Sequence, residues 1–386
     1  MATNNNNKVL NVPPLRFPEF SGEWRYLPLN EYLYENKERN KTGFFNKTSV
    51  LSVSGDFGVI NQIQLLGRSF AGKSVLDYHV VRHGNIIYTK SPLKDFPYGI
   101  VKMNEGADGI VSTLYAVYNV RINASGKFIE SYFALPRRAN KYFKPIVRIG
   151  AKHDMKISNT EAIANIVCFP QYVEQQKIAK FLALIGTRIS TQNKIIEDLE
   201  QLKSAIRERL YTQIQEEDFE HKTIKDVLSY EHPTKYIVVD TEYTDDKKLT
   251  PVLTANKAFI LGYTPEQENI YGKGDCIIFD DFTMDIKFVS FPFKIKSSAI
   301  KILTAKTNVN LYFIYEYLLF LNLISEEHKR HYISEIEPLH IVVPCLVIQH
   351  KIAEILQSID KQIHNARQLQ SAYQRQKQYL LNQMFI

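Results

Sequence analysis

The sequence has 386 residues, of which 45% are hydrophobic and 23% are charged, with a formal net charge of +7. The length exceeds one typical domain of about 100–200 residues, and the composition is that of an ordinary globular protein. No run approaches the roughly 18 apolar residues that cross a bilayer, and the polar N-terminus lacks the apolar core of a signal peptide. We therefore expect two domains in a cytoplasmic protein with no membrane contact. The charge suits a polyanionic partner but also suits many proteins that have none.

Four blocks follow one another along the chain. Residues 1–165 predict a first globular domain and residues 166–214 a first long helix. Residues 215–340 predict a second globular domain and residues 341–386 a second long helix. The order of the blocks indicates that one arrangement, a globular domain followed by a helix, occurs twice.

The globular domains have mixed secondary-structure signals. In the first, Ser49–Val53, Asn85–Tyr88 and Val111–Tyr118 are rich in β-branched or aromatic residues and predict strands. In the second, Cys276–Phe279 predicts a strand, and Leu311–Leu323 predicts a buried helix. The sequence therefore predicts a mixed α/β fold.

The three cysteines lie far apart and show no metal-binding spacing. They are Cys168, Cys276 and Cys345. Their odd number indicates a reducing compartment and simple packing roles.

The two helical segments are copies of each other, 174 residues apart and without a gap. One copy starts at Pro170 and the other at Pro344. Identical residues fall at the following pairs: Pro170/Pro344, Gln175/Gln349, Lys177/Lys351, Ile178/Ile352, Ala179/Ala353, Leu182/Leu356, Ile185/Ile359, Ile189/Ile363 and Lys203/Lys377. The first copy has Gly186, a weak helix former, where the second has Asp360.

Each copy carries a narrow apolar stripe with steps of mostly three and four residues, which is typical of a coiled-coil seam. In the first copy we assign the stripe to Ile178, Leu182, Ile185, Ile189, Ile195, Leu199, Leu202, Ile206 and Leu210. In the second copy we assign it to Ile352, Leu356, Ile359, Ile363, Leu369, Tyr373, Leu380 and Met384. The most economical cover for both stripes is an antiparallel coiled coil in a molecule with pseudo-two-fold symmetry. The alternative is that each helix lies on its own domain.

The globular domains also contain short similar segments. His83–Tyr88 is similar to Lys273–Phe279, and Ser49–Ser52 is similar to Pro251–Thr254. These matches favour two distant copies of one domain, whose divergence would let a single scaffold hold two different recognition surfaces.

Five segments carry a resemblance to a known family. They are Pro13–Phe20 with Gly22 and Trp24, Gly84–Ser91, Gly109–Tyr115, Pro170–Ala179 and Met384–Ile386. In their order, duplication and spacing they resemble a specificity subunit of a type I restriction–modification system over the whole chain. The second helix departs at its start, with Val347-Ile348-Gln349-His350 in place of Val173-Glu174-Gln175-Gln176, although its stripe continues.

The resemblance implies two target-recognition domains joined by two antiparallel helices. Each domain would read one half of a bipartite, asymmetric site in double-stranded DNA, and the helices would set the gap between the halves. Two modification subunits would dock on the chain and use S-adenosylmethionine to methylate adenine. Two restriction subunits would supply ATP- and Mg-dependent translocation and cleavage. The chain itself would hold no cofactor and perform no chemistry.

The residues agree with a non-catalytic chain. The nearest string to an adenine-methyltransferase motif, Asn11-Val12-Pro13-Pro14-Leu15, has an inserted valine and no aromatic residue, and no glycine-rich phosphate loop is present. Glu327, His328 and His331 could be pictured as metal ligands. A solvated helix end or a phosphate-facing loop explains them better, so we expect no metal site.

DNA contacts are expected from polar residues in the globular domains, since phosphate contacts supply affinity and base-edge contacts supply selectivity. The candidate phosphate contacts are Lys41, Lys47, Arg68, Lys73, Lys90 and Lys94 in the first domain, and Lys247, Lys248, Lys257, Lys287, Lys294 and Lys329 in the second. The candidate base contacts are Thr89, Lys90, Ser91, Asp280 and Asp281. Each lysine is alternatively an ordinary solubilising charge, and each base-contact candidate is alternatively a turn residue that satisfies its own backbone.

Two functions therefore remain at this point. The first is a DNA-recognition subunit. The second is a structural adaptor, whose paired helices would present two protein-binding domains.

Overall fold

The computed structural model describes residues 11–149, 155–254, 258–325 and 329–386. The chain divides into two compact units, Met1–Gln192 with Leu369–Ile386, and Asn193–Gln368. The first unit thus joins two separate stretches of chain, whereas the second is contiguous. In the described ranges, no helix is both long enough and apolar enough to cross a membrane.

The first unit is built mainly of short strands. They are β1 (Arg25–Pro28), β2 (Leu33–Glu35), β3 (Leu51–Ser54), β4 (Gly58–Asn61), β5 (His79–Val81), β6 (Ile86–Thr89), β7 (Val101–Met103), β8 (Gly109–Val111), β9 (Tyr115–Val120), β10 (Arg148–Ile149), β11 (Met155–Lys156) and β12 (Ile166–Phe169). Its helices are α1 (Gln62–Leu66), α2 (Gly126–Phe133), α3 (Pro136–Phe143), the first part of α4 (Tyr172–Glu216) and the last part of α7 (Leu346–Gln383).

The second unit follows with fewer strands. They are β13 (Glu220–Thr223), β14 (Leu228–Glu231), β15 (Thr250–Leu253), β16 (Ile260–Thr264), β17 (Cys276–Asp280), β18 (Ile286–Val289), β19 (Lys294–Ile295), β20 (Ile300–Ala305) and β21 (His340–Val343). Its helices are the rest of α4, α5 (Ile224–Val227), α6 (Leu311–Phe320) and most of α7 (Leu346–Gln383). The expected mixed α/β fold with two long helices is confirmed.

The two units repeat one topology. The four-stranded sheet has the order β2-β9-β6-β7 in the first unit and β14-β20-β17-β18 in the second. An antiparallel pair, β1-β12 or β13-β21, directly precedes each long helix. The similar segments found in the sequence contain β6 and β17, which hold the same place in the two sheets. Gly84 and Gly274 precede these strands with φ of +84° and +102°, a backbone region that only glycine adopts without strain.

Some predicted boundaries shift. The segment Val111–Tyr118 is not one strand, because a turn separates β8 from β9, with the Tyr115 N–H donating to the Ser112 carbonyl at 3.0 Å. The helix predicted to reach Leu323 ends at Phe320, and Asn322 has a left-handed φ of +47° that stops it. Gly186 does not interrupt α4, which is continuous over 45 residues.

A second duplicated element is the short helix that follows the four-stranded sheet. Ser125 caps α2 and Asn310 caps α6, and each side chain accepts a hydrogen bond from the N–H three residues later. These caps are 185 residues apart. The same offset relates three aromatic or aliphatic pairs in the helices, Phe128/Phe313, Ile129/Ile314 and Tyr132/Tyr317.

The hydrophobic cores join these short helices to the ends of the long ones. In the first unit, the Phe385 ring of the chain following α7 lies 5.1 Å from Phe128, which lies 5.0 Å from Phe169. In the second unit, Tyr211 of α4 lies 5.2 Å from Phe313 and donates to its carbonyl at 2.7 Å. Tyr211 and Phe385 are themselves 174 residues apart, so the duplication extends to the core.

Within each unit, the two long helices pair antiparallel. In the first unit, the guanidinium of Arg188 lies 5.8 Å from the Tyr373 ring, and Leu182 and Ile185 share a core with Leu380. In the second unit, Glu200 pairs with Arg367 at 2.5 Å and Lys203 with Asp360 at 2.6 Å. A step forward along α4 thus corresponds to a step backward along α7.

The seam positions alternate in steps of four and three residues, and this corrects three predicted seam residues. Ile195, Leu202 and Leu369 are 41%, 49% and 44% exposed, so they lie outside the seam. Ile196, only 9% exposed, is the seam residue seven positions after Ile189, and Ala366 takes the place assigned to Leu369. The other predicted seam residues are buried or half-buried: Ile178, Leu182, Ile185, Ile189, Leu199, Ile206, Leu210, Ile352, Leu356, Ile359, Ile363, Tyr373, Leu380 and Met384.

Candidate nucleic-acid interface

A group of exposed basic residues lies in the first unit between β2 and β5. They are Lys41, Lys47, Arg68 and Lys73. Lys41 forms an ion pair with Asp77, and the guanidinium of Arg68 lies 4.6 Å from the Phe70 ring centre. Lys94, also exposed, lies in the loop after β6. These side chains are placed where a polyanion can reach them.

Exposed aromatic rings accompany these cations, a feature that the sequence analysis did not identify. Phe44, Phe57 and Phe70 are exposed, although large apolar side chains are normally buried. Phe44 lies between Lys41 and Lys47 in the sequence, and Phe70 lies beside Arg68. Alternating basic and aromatic residues in a loop are therefore the signal that could have identified this surface. Such rings can contact bases or sugars where a duplex is opened or bent.

The residues at the end of β6 are less accessible than predicted. Thr89 is 4% exposed, and its hydroxyl accepts a hydrogen bond from the Ile100 N–H at 2.9 Å, so it is not a base contact. Lys90 donates to the Asn159 side chain at 2.6 Å, and its burial lowers its pKa. Only Ser91 of these three candidates is exposed.

The two aspartates at the end of β17 also serve the fold. Asp280 accepts hydrogen bonds from the backbone N–H groups of Phe282 and Thr283, both at 2.9 Å, so it is the turn residue that the alternative interpretation described. Asp281 is 2% exposed and accepts from the N–H groups of His331 and Tyr332. Base contact by Asp281 is therefore wrong, since its oxygens face the interior.

The remaining candidates of the second unit divide by exposure. Lys247 and Lys248 are exposed and line a groove of about 480 Å³ together with Tyr263 and Phe291. Lys329 is exposed and pairs with Glu335 at 3.0 Å.

Two of the other three candidates, Lys287 and Lys294, are not exposed. Lys287 is half-buried on β18, and Lys257 lies outside the described residues. Lys294 is 2% exposed and is committed to Glu266 at 2.6 Å, so its assignment as a phosphate contact is corrected.

A further basic groove, of about 720 Å³, lies in the first unit along α3. Arg137, Arg138 and Lys141 line it. Burial lowers the pKa of Arg138 to about 10, and its guanidinium lies 4.4 Å from the Phe385 ring. This groove was not predicted, because its other walls, which include Tyr26, Cys168 and Ile386, come from distant parts of the chain.

In the described ranges, no three His, Cys, Asp or Glu side chains come together as a metal site. His331, one of the residues considered as a ligand, is buried, and its ring nitrogens contact Glu335 at 2.8 Å and Ser325 at 3.0 Å. Glu327 and His328 lie outside the described residues.

Comparison with known proteins identifies similar sequences. Residues 216–372 match the family described as type I restriction modification DNA specificity domain. The Type I restriction enzyme EcoR124I/EcoR124II specificity subunit of Escherichia coli is 43% identical over 144 residues, which cover 34% of this chain and 35% of that protein. The match thus spans about a third of the length of this relative.

Solved structures match the fold over almost the whole chain. The S subunit of a type I restriction–modification system from M. genitalium has a TM-score of 0.64 at 13% identity and covers 97% of this chain and 99% of its own. A chain from a structure described as showing complex assembly and conformational transition of the type I R-M system has a TM-score of 0.50, also at 13% identity. It covers 96% of this chain and 99% of its own. At such low identity these matches establish the fold alone.

Proposed function

We propose that this chain is a specificity subunit of a type I restriction–modification system, because residues 216–372 match the DNA specificity domain of that family. We further propose that its two units read the two halves of a bipartite DNA site. The paired helices set the gap between the halves, and modification subunits dock on the chain. Those partners supply S-adenosylmethionine-dependent methylation of adenine. Restriction subunits, where they join, supply the ATP- and Mg-dependent steps. The chain itself contributes recognition and no chemical step.

The duplicated topology is the observation that carries this proposal. Sheets of the same strand order precede helices of the same heptad pattern, yet the exposed residues of the two units differ. The first unit presents Phe44, Phe70 and Arg68, whereas the second presents Lys247 and Lys248. One scaffold with two dissimilar surfaces suits the recognition of two dissimilar half-sites.

Within each unit, the exposed cations are the proposed phosphate contacts. These are Lys41, Lys47, Arg68, Lys73 and Lys94 in the first unit, and Lys247, Lys248 and Lys329 in the second, to which we add the half-buried Lys287. Phosphate contacts fix the position of a protein on a duplex and carry little sequence information. Ser91 is retained as a base contact because it is exposed at the end of the central strand β6.

The decisive experiment is to co-express the chain with the modification subunit of its own system and to map methylated adenines across the genome. We expect a split motif with a fixed gap. Replacing residues 220–343 by the same region of a relative should change one half of the motif and leave the other half and the gap unchanged. Methylation of a continuous motif, or a change in both halves after the replacement, would contradict the proposal.

Salt dependence separates this function from a structural adaptor. A DNA-recognition complex should lose affinity for its site steeply as salt rises, because each neutralised phosphate releases counterions. An adaptor should form salt-tolerant protein complexes and show no preference for the methylated motif.

A further inference from the structure

A pocket of about 320 Å³ lies in the first unit, where α2 faces the seam between α4 and α7. Its lining includes Lys102, Lys127, Glu130, Gly186 and Lys377. The proposed DNA contacts are elsewhere in the unit, so this pocket is not part of the proposed DNA-binding surface.

The second unit shows what fills the equivalent position there. Lys203 occupies the seam position of Lys377, and it is surrounded by acidic groups. Its Nζ lies 2.7 Å from a Glu316 oxygen and 2.6 Å from an Asp360 oxygen. The Tyr312 hydroxyl lies 3.2 Å from the same Nζ and also contacts Asp360. This seam lysine is therefore fully compensated within its own unit.

The duplication allows a position-by-position comparison. The helix offset of 174 residues places Gly186 where the second unit has Asp360. The offset of 185 residues defined by the capping residues of α2 and α6 places Ser131 where the second unit has Glu316. The same offset places Lys127 where the second unit has Tyr312. Gly186, Ser131 and Lys127 all line the pocket, so the two alignments converge on one site.

Lys377 therefore lacks the two carboxylate partners that Lys203 has. A lysine, Lys127, also stands where the second unit has Tyr312. The pocket's own glutamates do not replace those carboxylates. Glu130 pairs with Lys127 at 3.0 Å and with Lys102 at 3.7 Å, and Glu105 pairs with Lys127. Among the described residues, no carboxylate forms an ion pair with Lys377. Burial and the two neighbouring lysines lower the pKa of Lys377.

We propose that this pocket binds one carboxylate group, supplied by an acidic side chain of a partner protein. Three lysines and two glutamates line it, which leaves one unit of positive charge (3 − 2 = +1) and matches a single carboxylate. A nucleic-acid phosphate fits less well, because Glu105 and Glu130 would lie against further phosphates of the same strand. The internal precedent is also a carboxylate, since carboxylates hold the equivalent Lys203.

The identity of the partner rests on the proposed function, in which a modification subunit docks on the chain. At the equivalent place in the second unit, Glu316 and Asp360 already pair with the seam lysine, Lys203. A partner bound at the first unit would thus make an ion pair that an identical partner could not make at the second. The modification subunit would therefore bind the two otherwise equivalent docking positions with different affinities.

The first test uses acetate as the probe on the full-length chain. The Lys377 side chain is followed by NMR of isotope-labelled lysine, assigned with Lys377→Met, during titration with acetate or inorganic phosphate at constant ionic strength. We expect a saturable acetate shift in the wild-type chain, with phosphate weaker. The shift should be absent in Gly186→Asp and retained in Gly186→Ala. No saturable acetate shift, or tighter binding of phosphate, would overturn the carboxylate site.

The variant Gly186→Asp is chosen because it supplies the missing carboxylate from within. A Cβ at this position would lie 3.7 Å from Lys377 Nζ, an ordinary contact, so the side chain has room. Gly186→Asn has nearly the same size without the charge and is the matched control. Both changes replace a helix-interior glycine, so any gain in helix stability appears in both.

The second test measures the affinity of the purified modification subunit for the same variants. We expect Gly186→Asp to bind one modification subunit about tenfold more weakly than Gly186→Asn, which corresponds to the loss of one charged contact. Equal affinity of the two variants would overturn a protein source for the carboxylate. If the modification subunit does not bind even the wild-type chain, the proposed function fails, whereas the acetate titration still decides whether the pocket binds a carboxylate.

Discussion

Gln175 and Gln349, at the starts of the two long helices, make the same pair of hydrogen bonds. The Gln175 side-chain nitrogen donates to the Pro170 carbonyl at 2.9 Å, and its oxygen accepts from the Ser125 N–H at 3.0 Å. Gln349 repeats this with the Pro344 carbonyl and the Asn310 N–H, both at 2.9 Å. Each buried amide therefore fastens a long helix to the cap of the short helix beside it.

Replacement of Gln349 by Ala should destabilise the second unit. The change leaves the Asn310 N–H and the Pro344 carbonyl without their side-chain partner in a buried site, at a cost of about 2–4 kcal/mol for the two groups. Urea unfolding measures this loss. Gln176→Ala is a suitable control, because Gln176 is exposed and its bond to the Tyr172 hydroxyl lies at the surface. Equal stability of the two variants would show that the buried bridge contributes little.

Lys203 and Lys377 should respond oppositely to replacement by Met. Lys203→Met leaves the buried Glu316 with Arg207 alone, so we expect a loss of about 2–4 kcal/mol. Lys377→Met should be neutral or stabilising near pH 7. The pKa of Lys377 is lowered in the folded chain, so its charged form reduces the free energy of unfolding near neutral pH. This loss of stability becomes smaller as pH rises from the folded-state pKa toward the unfolded-state pKa. Thermal or urea unfolding of both variants at several pH values measures these changes in stability. A large loss from Lys377→Met would contradict the absence of a compensating carboxylate.

The exposed cations of the first unit should supply salt-dependent DNA affinity. Replacing Lys47, Arg68 and Lys73 together by Ala should weaken binding of the assembled complex to all sequences and reduce the salt slope by up to about three. Binding is measured at several salt concentrations. Lys194→Ala, which removes an exposed lysine from α4, is the matched control. An unchanged slope in the triple variant would place the phosphate contacts elsewhere.

Asp281 distinguishes a structural role from base reading. Asp281→Ala removes the acceptor for two backbone N–H groups and leaves the buried Lys301, 3.5 Å from it, without its carboxylate. We expect a destabilisation of roughly 3–5 kcal/mol and no change in the methylated sequence. Unfolding and methylation mapping are measured on the same variant. A new half-site in a stable variant would restore Asp281 as a base contact.

The helix pair can be lengthened without disturbing its seam. Inserting seven helical residues after both Gln192 and Ala366 preserves the heptad alternation and adds about 10 Å, since a helix rises about 1.5 Å per residue. The gap in the methylated motif should grow by about three base pairs at about 3.4 Å each, with both half-sequences unchanged. Altered half-sequences with an unchanged gap would show that the helices do not set the spacing. Insertion into α4 alone should misalign the seam and destabilise the chain.

The sequence was sufficient to predict the architecture because its signals are periodic and duplicated. It failed where burial depends on contacts from elsewhere in the chain. Apolar character favoured Ile195, whereas the heptad seam passes through the polar Gln192 and then Ile196. Thr89 and Asp281 are polar residues at the ends of apolar strands, a position typical of exposed loop residues. Only the packed structure shows that both are buried.

One informative duplication was overlooked at the sequence level. The segments Lys127–Phe133 and Tyr312–Leu318 share a Phe-Ile pair and a following aromatic residue, but their offset is 185 rather than 174 residues. The segments between the short and long helices differ in length, because the first contains α3 and the second does not, and this changes the offset. A search for matches at one fixed separation therefore misses them, although the two helices have equivalent caps and core contacts.

Because the first unit joins two separate stretches of chain, the two units become complete at different times during synthesis. The aromatic core of the first unit includes Phe385, which leaves the ribosome nearly two hundred residues after Gln192, whereas the second unit needs nothing beyond Gln368. Contacts of such long sequence separation form late because loop closure must precede them. The nascent chain should therefore mature its second unit first and hold the first unit incomplete, with exposed apolar surface, until the last turns of α7 are made.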